Sequence, residues 1–557
     1  MRPFPCAALL LAALAPFTAA RAEDAKPFVY AAPNGPTFTV TADGLCKIEL
    51  NGKVVAQGNW HAFNAGPTFF KDGAGEVVAA EITEKSVQPI DAKHVRVRQV
   101  QKDLVTNFEY AFDGEDVRIR AQVENRHATA ELKAAGFEGL MFEFAKPPSG
   151  LMLDWHISYL QHQGLAICHP GHFSKIGGSY ATDGALGVGL SPQNAGLSRT
   201  LFLWNWVPED KPAPKRGPAF IVPKPIAPGG AETFEMSLRV SASGDWKHLL
   251  EPYKEYFARA FGPVHYKGDN RPWVQFSAVD KSFVKPDNPL GYHPDGLFRR
   301  MDKPEGVKTF CDGVLPALKE AGGQGVIFWA YGGYEQRGAM YRPDFDVLPP
   351  EPEKNLPQLK QAFADAKMRL GFCARPGEIA YRKTWTQDEP LRINPDDPAH
   401  IEMMLARFKK LSDAGANTFY LDSFGNSLDD VKAMRKFRER LGPDVQTFSE
   451  ICCDAVLAYS GAYFEVSWKK EAKRYEIAWF GDATAWEQLR WLAPGVNCVC
   501  KIRVNPGDVP ADAEPLYEFM FRNHLTPIVE DWQIKGEAKA LKEKTSAYLD
   551  EKGQWKK

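Results

Sequence analysis

From Pro272 onward the chain alternates short apolar runs with helical stretches, and this alternation limits its possible folds more than any other feature. The strand-like runs cover residues 273–279, 325–330, 370–374, 418–421, 445–449, 463–468, 497–501 and 525–529. Helical spacing falls between or after them at 307–321, 356–366, 398–414, 428–441, 515–522 and 536–549. Eight such β/α units predict a (β/α)8 TIM barrel over residues 270–535, followed by a C-terminal helix and tail at 536–557. The segment before it reads differently. Thr37-Phe38-Thr39-Val40, His94 to Val100 and Val117 to Val123 alternate apolar and polar residues with period two, and Asn51-Gly52 marks a turn. With scarcely a helical period among them, these strands predict an antiparallel β-sandwich over residues 27–243. Trp246, Leu249, Leu250, Tyr253, Tyr256 and Phe257 then form one helical stripe, so residues 244–262 read as a connecting helix. The predicted fold class is multidomain, β plus α/β: an N-terminal antiparallel β-sandwich followed by a (β/α)8 TIM barrel.

Residues 1–22 have an early Arg2, an apolar run from Ala7 to Ala15 and Ala20-Arg21-Ala22 before Glu23, the layout of a cleavable secretory signal peptide. The expected location is periplasmic or extracellular. No run reaches the roughly 18 apolar residues of a membrane-spanning helix, so no membrane insertion is expected. A composition of 44% hydrophobic and 25% charged residues excludes intrinsic disorder and fibrous repeats. The 68 basic and 70 acidic residues are spread along the chain and give no field to attract nucleic acid, which favours a neutral substrate. The 14 Trp, 18 Tyr and 35 Phe suit either large cores or sugar-stacking pockets, and composition alone does not choose. Cys46, Cys168, Cys311, Cys373, Cys452, Cys453, Cys498 and Cys500 lack C-x-x-C spacing and read as core cysteines, with a disulfide left open.

Polar residues follow the barrel strands, where this architecture keeps its chemistry: Asp280, Tyr331, Arg375, Asp422, Glu450 and Asp531. Period two puts Thr418, Tyr420 and Asp422 on one face, and likewise Gln446, Phe448 and Glu450. Asp422 could instead cap a helix, but the next helix begins several residues later with its own Ser427. Glu450 could instead belong to a salt bridge within the barrel mouth.

The stretch Arg392-Ile393-Asn394-Pro395-Asp396-Asp397-Pro398, a helix, and then Ala414 to Asp422 resembles the approach to the nucleophile in retaining α-glycosidases of the α-galactosidase and family 31 α-glucosidase superfamily. The resemblance implies that Asp422 attacks an anomeric carbon. Two residues compete for the acid/base role. Glu450 is placed like the Glu of the α-amylase clan and of endo-α-N-acetylgalactosaminidases. Asp482, in Trp479-Phe480-Gly481-Asp482, resembles the family 31 W-x-G-D motif, although an Asp ahead of a helical run is also what a helix cap looks like. Glu450 ranks first because strand periodicity supports it independently.

Arg375 is expected to keep Asp422 ionised or to bind a sugar hydroxyl, the alternative being an ion pair with Glu378. Trp329, Tyr331, Tyr334 and Trp468 are candidates for stacking on a pyranose, with packing as the alternative; Asp280 and Asp531 are candidates for binding hydroxyls. The seventh strand ends Cys498 to Arg503 without a Glu, unlike the clan that acts mostly on β-linkages. His156, His162, His169 and His172 match no standard metal spacing and read as loop packing or as a loop over the barrel mouth. No cofactor or metal is expected. The reading is an exported glycoside hydrolase acting on carbohydrate as a retaining α-glycosidase with two carboxylates at the C-terminal face of the barrel; the rival is a non-catalytic glycan-binding protein on a degenerate barrel. The superfamily usually carries a further β-domain after the barrel, whereas a Lys/Glu-rich helical segment follows Asp531 here.

Overall fold

The computed structural model describes residues 26–64, 82–132, 135–151, 177–194, 199–204, 215–222, 225–277, 279–294, 300–329, 331, 350–379, 391–425, 427–450, 452–469, 474–479, 485–503 and 514–556. These divide into two compact units, one built from the chain up to Leu249 apart from 177–178, the other from 177–178 and the chain from Leu250.

The first unit holds two antiparallel sheets. One runs Phe28–Ala31, Thr37–Thr41, Gly44–Leu50, Lys53–Asn64, Ala135–Glu143, Lys215–Val222, Arg199–Trp204. The other runs Ser149–Leu151, Ser179–Thr182, Gly187–Pro192, Ala231–Ser241, Asp116–Asn125, Leu104–Asp113, His94–Gln101, Glu84–Pro89. The alternation seen in the sequence decides which residues face inward: Val117, Ile119, Ala121 and Val123 are buried, while Arg118, Arg120 and Gln122 between them are exposed. Phe38 and Ile48 of one sheet join Val97, Phe108 and Ile119 of the other in a single core. The helix Trp246–Phe261 follows, with Leu249, Leu250, Tyr253, Tyr256 and Phe257 of the predicted stripe buried.

The second unit is a closed barrel of eight parallel strands: β1 Trp273–Ser277, β2 Gly325–Trp329, β3 Arg369–Ala374, β4 Ala416–Leu421, β5 Gln446–Ser449, β6 Gly461–Lys469, β7 Cys498–Arg503 and β8 Thr526–Glu530. Each pairs with its neighbours in chain order, and β8 pairs with β1 to close the ring. Helices Pro304–Glu320, Leu356–Ala366, Pro398–Asp413, Leu428–Leu441, Ala485–Leu492 and Glu514–Arg522 lie in the crossovers, and Ile534–Tyr548 follows β8.

Two features depart from a uniform strand–helix repeat. Between β5 and β6 the described residues hold only the short 3-10 turn Asp454–Val456, because residues 452–460 are buried throughout and present no polar face for an amphipathic helix. The strand Arg474–Trp479 folds back antiparallel on β6 as a hairpin.

One residue from each strand fills the barrel: Trp273, Ile327, Cys373, Tyr420, Phe448, Tyr463, Val499 and Ile528. Glycines make room below this layer. A Cβ on Gly325 would lie 2.6 Å from the Trp273 ring, and one on Gly461 would lie 2.9 Å from the Phe448 ring. After the last helix, Trp555 stacks on His524 with ring centroids 4.8 Å apart, and the Gln554 amide donates to the Gly268 carbonyl, so the tail packs against the N-terminal end of the barrel. Among the described residues no helix is long and apolar enough to cross a membrane.

Candidate active site

Two residues beyond the apolar layer, strand period brings Gln275, Trp329, Arg375, Asp422, Glu450, Glu465, Lys501 and Glu530 to the C-terminal end of the barrel interior. Hydrogen bonds carry the backbone ladder past the strand ends: the Asp422 amide donates to the Ala374 carbonyl (2.8 Å) and the Glu450 amide to the Leu421 carbonyl (3.1 Å). Both side chains are therefore placed by the barrel itself.

Asp422 is 8% exposed and forms an ion pair with Arg375, whose Nε donates to Oδ2 at 2.5 Å. The Glu450 carboxyl accepts the Ser423 amide at 2.7 Å, and Asp422 and Tyr420 are near enough to act on its charge. Ser423 reaches that position with φ of 52°, a left-handed conformation uncommon for a residue with a side chain. Gly425, at φ 110°, passes so close to β5 that a Cβ would lie 2.8 Å from the Ser449 Cβ. Its amide donates to Asp430 Oδ2 (3.0 Å), and Arg392 donates to Asp430 Oδ1 (2.6 Å). The arginine that opens the motif at 392–398 thus holds the loop after β4. Ser427 caps the following helix through its bond from the Asp430 amide, which leaves Asp422 outside that cap.

The two carboxyl groups sit in unlike surroundings. Burial, reinforced by the negative charge of Asp422, pushes the Glu450 carboxyl up to about 7; the Ser423 amide and Tyr420 offset part of this. Asp422 has a guanidinium beside it. The Cys373 thiol beneath the pair is raised well above its usual range, by burial first and then by Asp422 and Glu450. The arrangement provides one carboxyl that holds a proton near neutral pH beside another paired to a cation.

Across the mouth, Lys501 Nζ lies 3.3 Å from Glu530 Oε1 and 5.5 Å from the centroid of the Trp329 ring, which packs on Tyr420 at 4.1 Å. Tyr463 donates its hydroxyl proton to Glu465 at 2.6 Å. Glu465, Lys501 and Glu530 were not expected from the sequence, although the period through Tyr463, Val499 and Ile528 points to each.

Several expectations need correction. Asp531 is one residue out of phase with the inward set; it is 1% exposed, and its amide donates to the Gln275 carbonyl, so Glu530 takes the place expected for it. Asp280 is exposed and accepts from the amide and hydroxyl of Ser282 (2.8 and 2.7 Å), capping a 3-10 turn. Tyr331 is 4% exposed, donates to the Pro352 carbonyl and packs on Phe328 and Phe372, so its ring is structural. Trp329 remains at the mouth. Trp468 lies on β6 opposite Tyr475, and its side chain is outside what is described. Asp482, Tyr334, the signal segment and the histidine-rich stretch lie outside the described residues. Cys311, Cys373, Cys452, Cys453, Cys498 and Cys500 are buried free thiols and Cys46 is half-buried; Cys168 is outside the described residues. No cluster of metal-ligating side chains occurs among the described residues.

No family model matches the sequence, and no curated protein matches it. Among solved structures the chain is similar to the α-N-acetylgalactosaminidase NagBb from Bifidobacterium bifidum. In its GalNAc complex the TM-score is 0.60 at 11% identity, covering 94% of this chain and 93% of that one. In its ligand-free form the values are 0.58, 11%, 93% and 92%. A GH36 α-galactosidase, AgaA from Geobacillus stearothermophilus, aligns with a TM-score of 0.44 at 8% identity over 93% of this chain and 86% of that one. The two-unit fold of this chain is therefore shared, over nearly the whole of both chains, with that α-N-acetylgalactosaminidase.

Proposed function

We propose that the protein is an exported glycoside hydrolase that cleaves α-glycosidic bonds with retention, at the C-terminal face of a (β/α)8 barrel. The observation that carries this reading is the Asp422–Glu450 pair: adjacent strand-end carboxyls, one beside Arg375 and one holding its proton near neutral pH. That asymmetry is what a nucleophile and a general acid require. The fold likeness to an enzyme named for hydrolysing an α-linked amino sugar supports the α-directed part.

In the first step Asp422 attacks the anomeric carbon as the glycosidic C–O bond breaks, and Glu450 gives its proton to the departing oxygen. Glu450, now a carboxylate, then takes a proton from water, whose oxygen displaces Asp422 and releases the sugar with its original anomeric configuration.

Asp422→Asn is expected to lose turnover by orders of magnitude while still binding sugar. A non-catalytic glycan-binding protein has no turnover to lose, so an undiminished signal in the variant, or none in the wild type, refutes the proposal. For the acid/base, Glu450→Ala is expected to keep activity only on aryl glycosides with good leaving groups and to be accelerated by azide. The same behaviour in Asp482→Ala instead would move the role there. Export predicts a mature N-terminus near Glu23, read by N-terminal sequencing of protein recovered outside the cytoplasm.

A further inference from the structure

We propose that Lys501 and Glu530 form the hydroxyl-reading half of the subsite in which Asp422 and Glu450 act, binding adjacent hydroxyls of an uncharged sugar ring; this rests on the glycosidase reading above. Lys501 and Glu530 belong to the same inward layer as the two carboxyls, and Lys501 and Asp422 both act on the Cys373 thiol beneath. Their side chains keep 13% and 20% exposure, so the ion pair opens to the barrel mouth.

The chemistry of the pair suits a sugar. An ammonium offers donors and a carboxylate offers acceptors, and 3.3 Å apart they present both to one hydroxyl or to two neighbouring ones. Because each charge already matches the other, the pair gains little from an anionic substituent and most from neutral hydroxyls. Trp329 supplies an apolar wall 5.5 Å from the ammonium. Gln275, the register partner of Glu530, has a buried amide oxygen with no partner among the described residues, leaving further acceptor capacity on that side.

A purely structural role explains the pair poorly. Two residues below on the same strands, Val499 and Ile528 fill the barrel with apolar side chains at no cost in desolvated charge. Lys501 and Glu530 carry that cost at the layer where substrate would sit.

The test measures kcat/KM of the wild-type chain, Lys501→Met and Glu530→Gln on p-nitrophenyl α-glycosides of hexoses and N-acetylhexosamines and on their monodeoxy analogues. In the wild type one deoxy position is expected to cost about 100-fold, and the same change is expected to cost either variant only a few-fold. An equal deoxy penalty in wild type and variants overturns the inference while leaving the hydrolase reading intact. If the wild type hydrolyses none of these glycosides, the hydrolase reading fails, and calorimetry with the free monosaccharides decides the inference. Affinity at least about tenfold weaker in either folded variant upholds it; unchanged affinity, or no binding by the wild type, overturns it. Glu530→Gln preserves size and serves as the test should Lys501→Met fail to fold.

Discussion

Glu450 shows how one side chain acquires its chemistry from its neighbours. Its burial and the charge of Asp422 raise the carboxyl to about 7, so the protonated acid needed for the first step is lost as pH rises through that value. The alkaline limb of kcat/KM is therefore expected near pH 7. Arg375 is the cation beside Asp422, and Arg375→Met is expected to lower kcat by about 10²-fold, measured on an aryl glycoside. Asp422 and Glu450 were legible in the sequence because each continues the inward period of its strand. Glu530 and Lys501 continue theirs just as well. Asp531 stands just beyond the apolar run and so is more conspicuous in the sequence, whereas its burial cannot be seen from the chain. The raised Glu450 carboxyl was not legible either, since its cause comes from a different strand.

At the level of elements, the barrel strands were legible because each is a short apolar run ended by a polar residue. The crossover after β5 was not: it is buried throughout, Asp454 and Ser460 included, and only the surrounding structure decides that it winds as a 3-10 turn. The loop after β4 has a similar dependence. Ser423 takes a left-handed conformation to give its amide to Glu450, and Gly425 lies against Ser449, with Asp430 and Arg392 holding it there. Gly425→Ala introduces a Cβ where neither the space nor φ allows one, and is expected to cost about 1–3 kcal/mol and to lower kcat. Chemical denaturation and kinetics check the two effects. Arg392→Met is expected to lower kcat more than it changes KM, because among the described residues it acts on the site through Asp430; a change confined to KM would contradict that positioning role.

For the whole molecule, Glu450 is raised to about 7, Asp454 to about 6 and Glu537 to about 7, each chiefly by burial. Asp454 is buried and accepts hydrogen bonds from the Gly177 amide and the Tyr253 hydroxyl. A carboxyl raised on folding binds its proton more tightly in the native state, so stability falls as pH rises from about 4 to about 7. His524, lowered by burial, acts in the opposite sense. With three groups against one, the thermal midpoint of the barrel transition is expected to be lower at pH 8 than at pH 5. Glu450→Gln is expected to shrink that difference and to raise stability at pH 8 while abolishing turnover, which differential scanning calorimetry and an activity assay check together.

The most direct measurement is peptide mass spectrometry after incubation with an α-configured 5-fluoroglycosyl fluoride of whichever sugar is hydrolysed fastest. The account predicts a glycosyl ester on Asp422, absent from Asp422→Asn. Labelling of another residue, or hydrolysis proceeding with inversion and no label on Asp422, would contradict it.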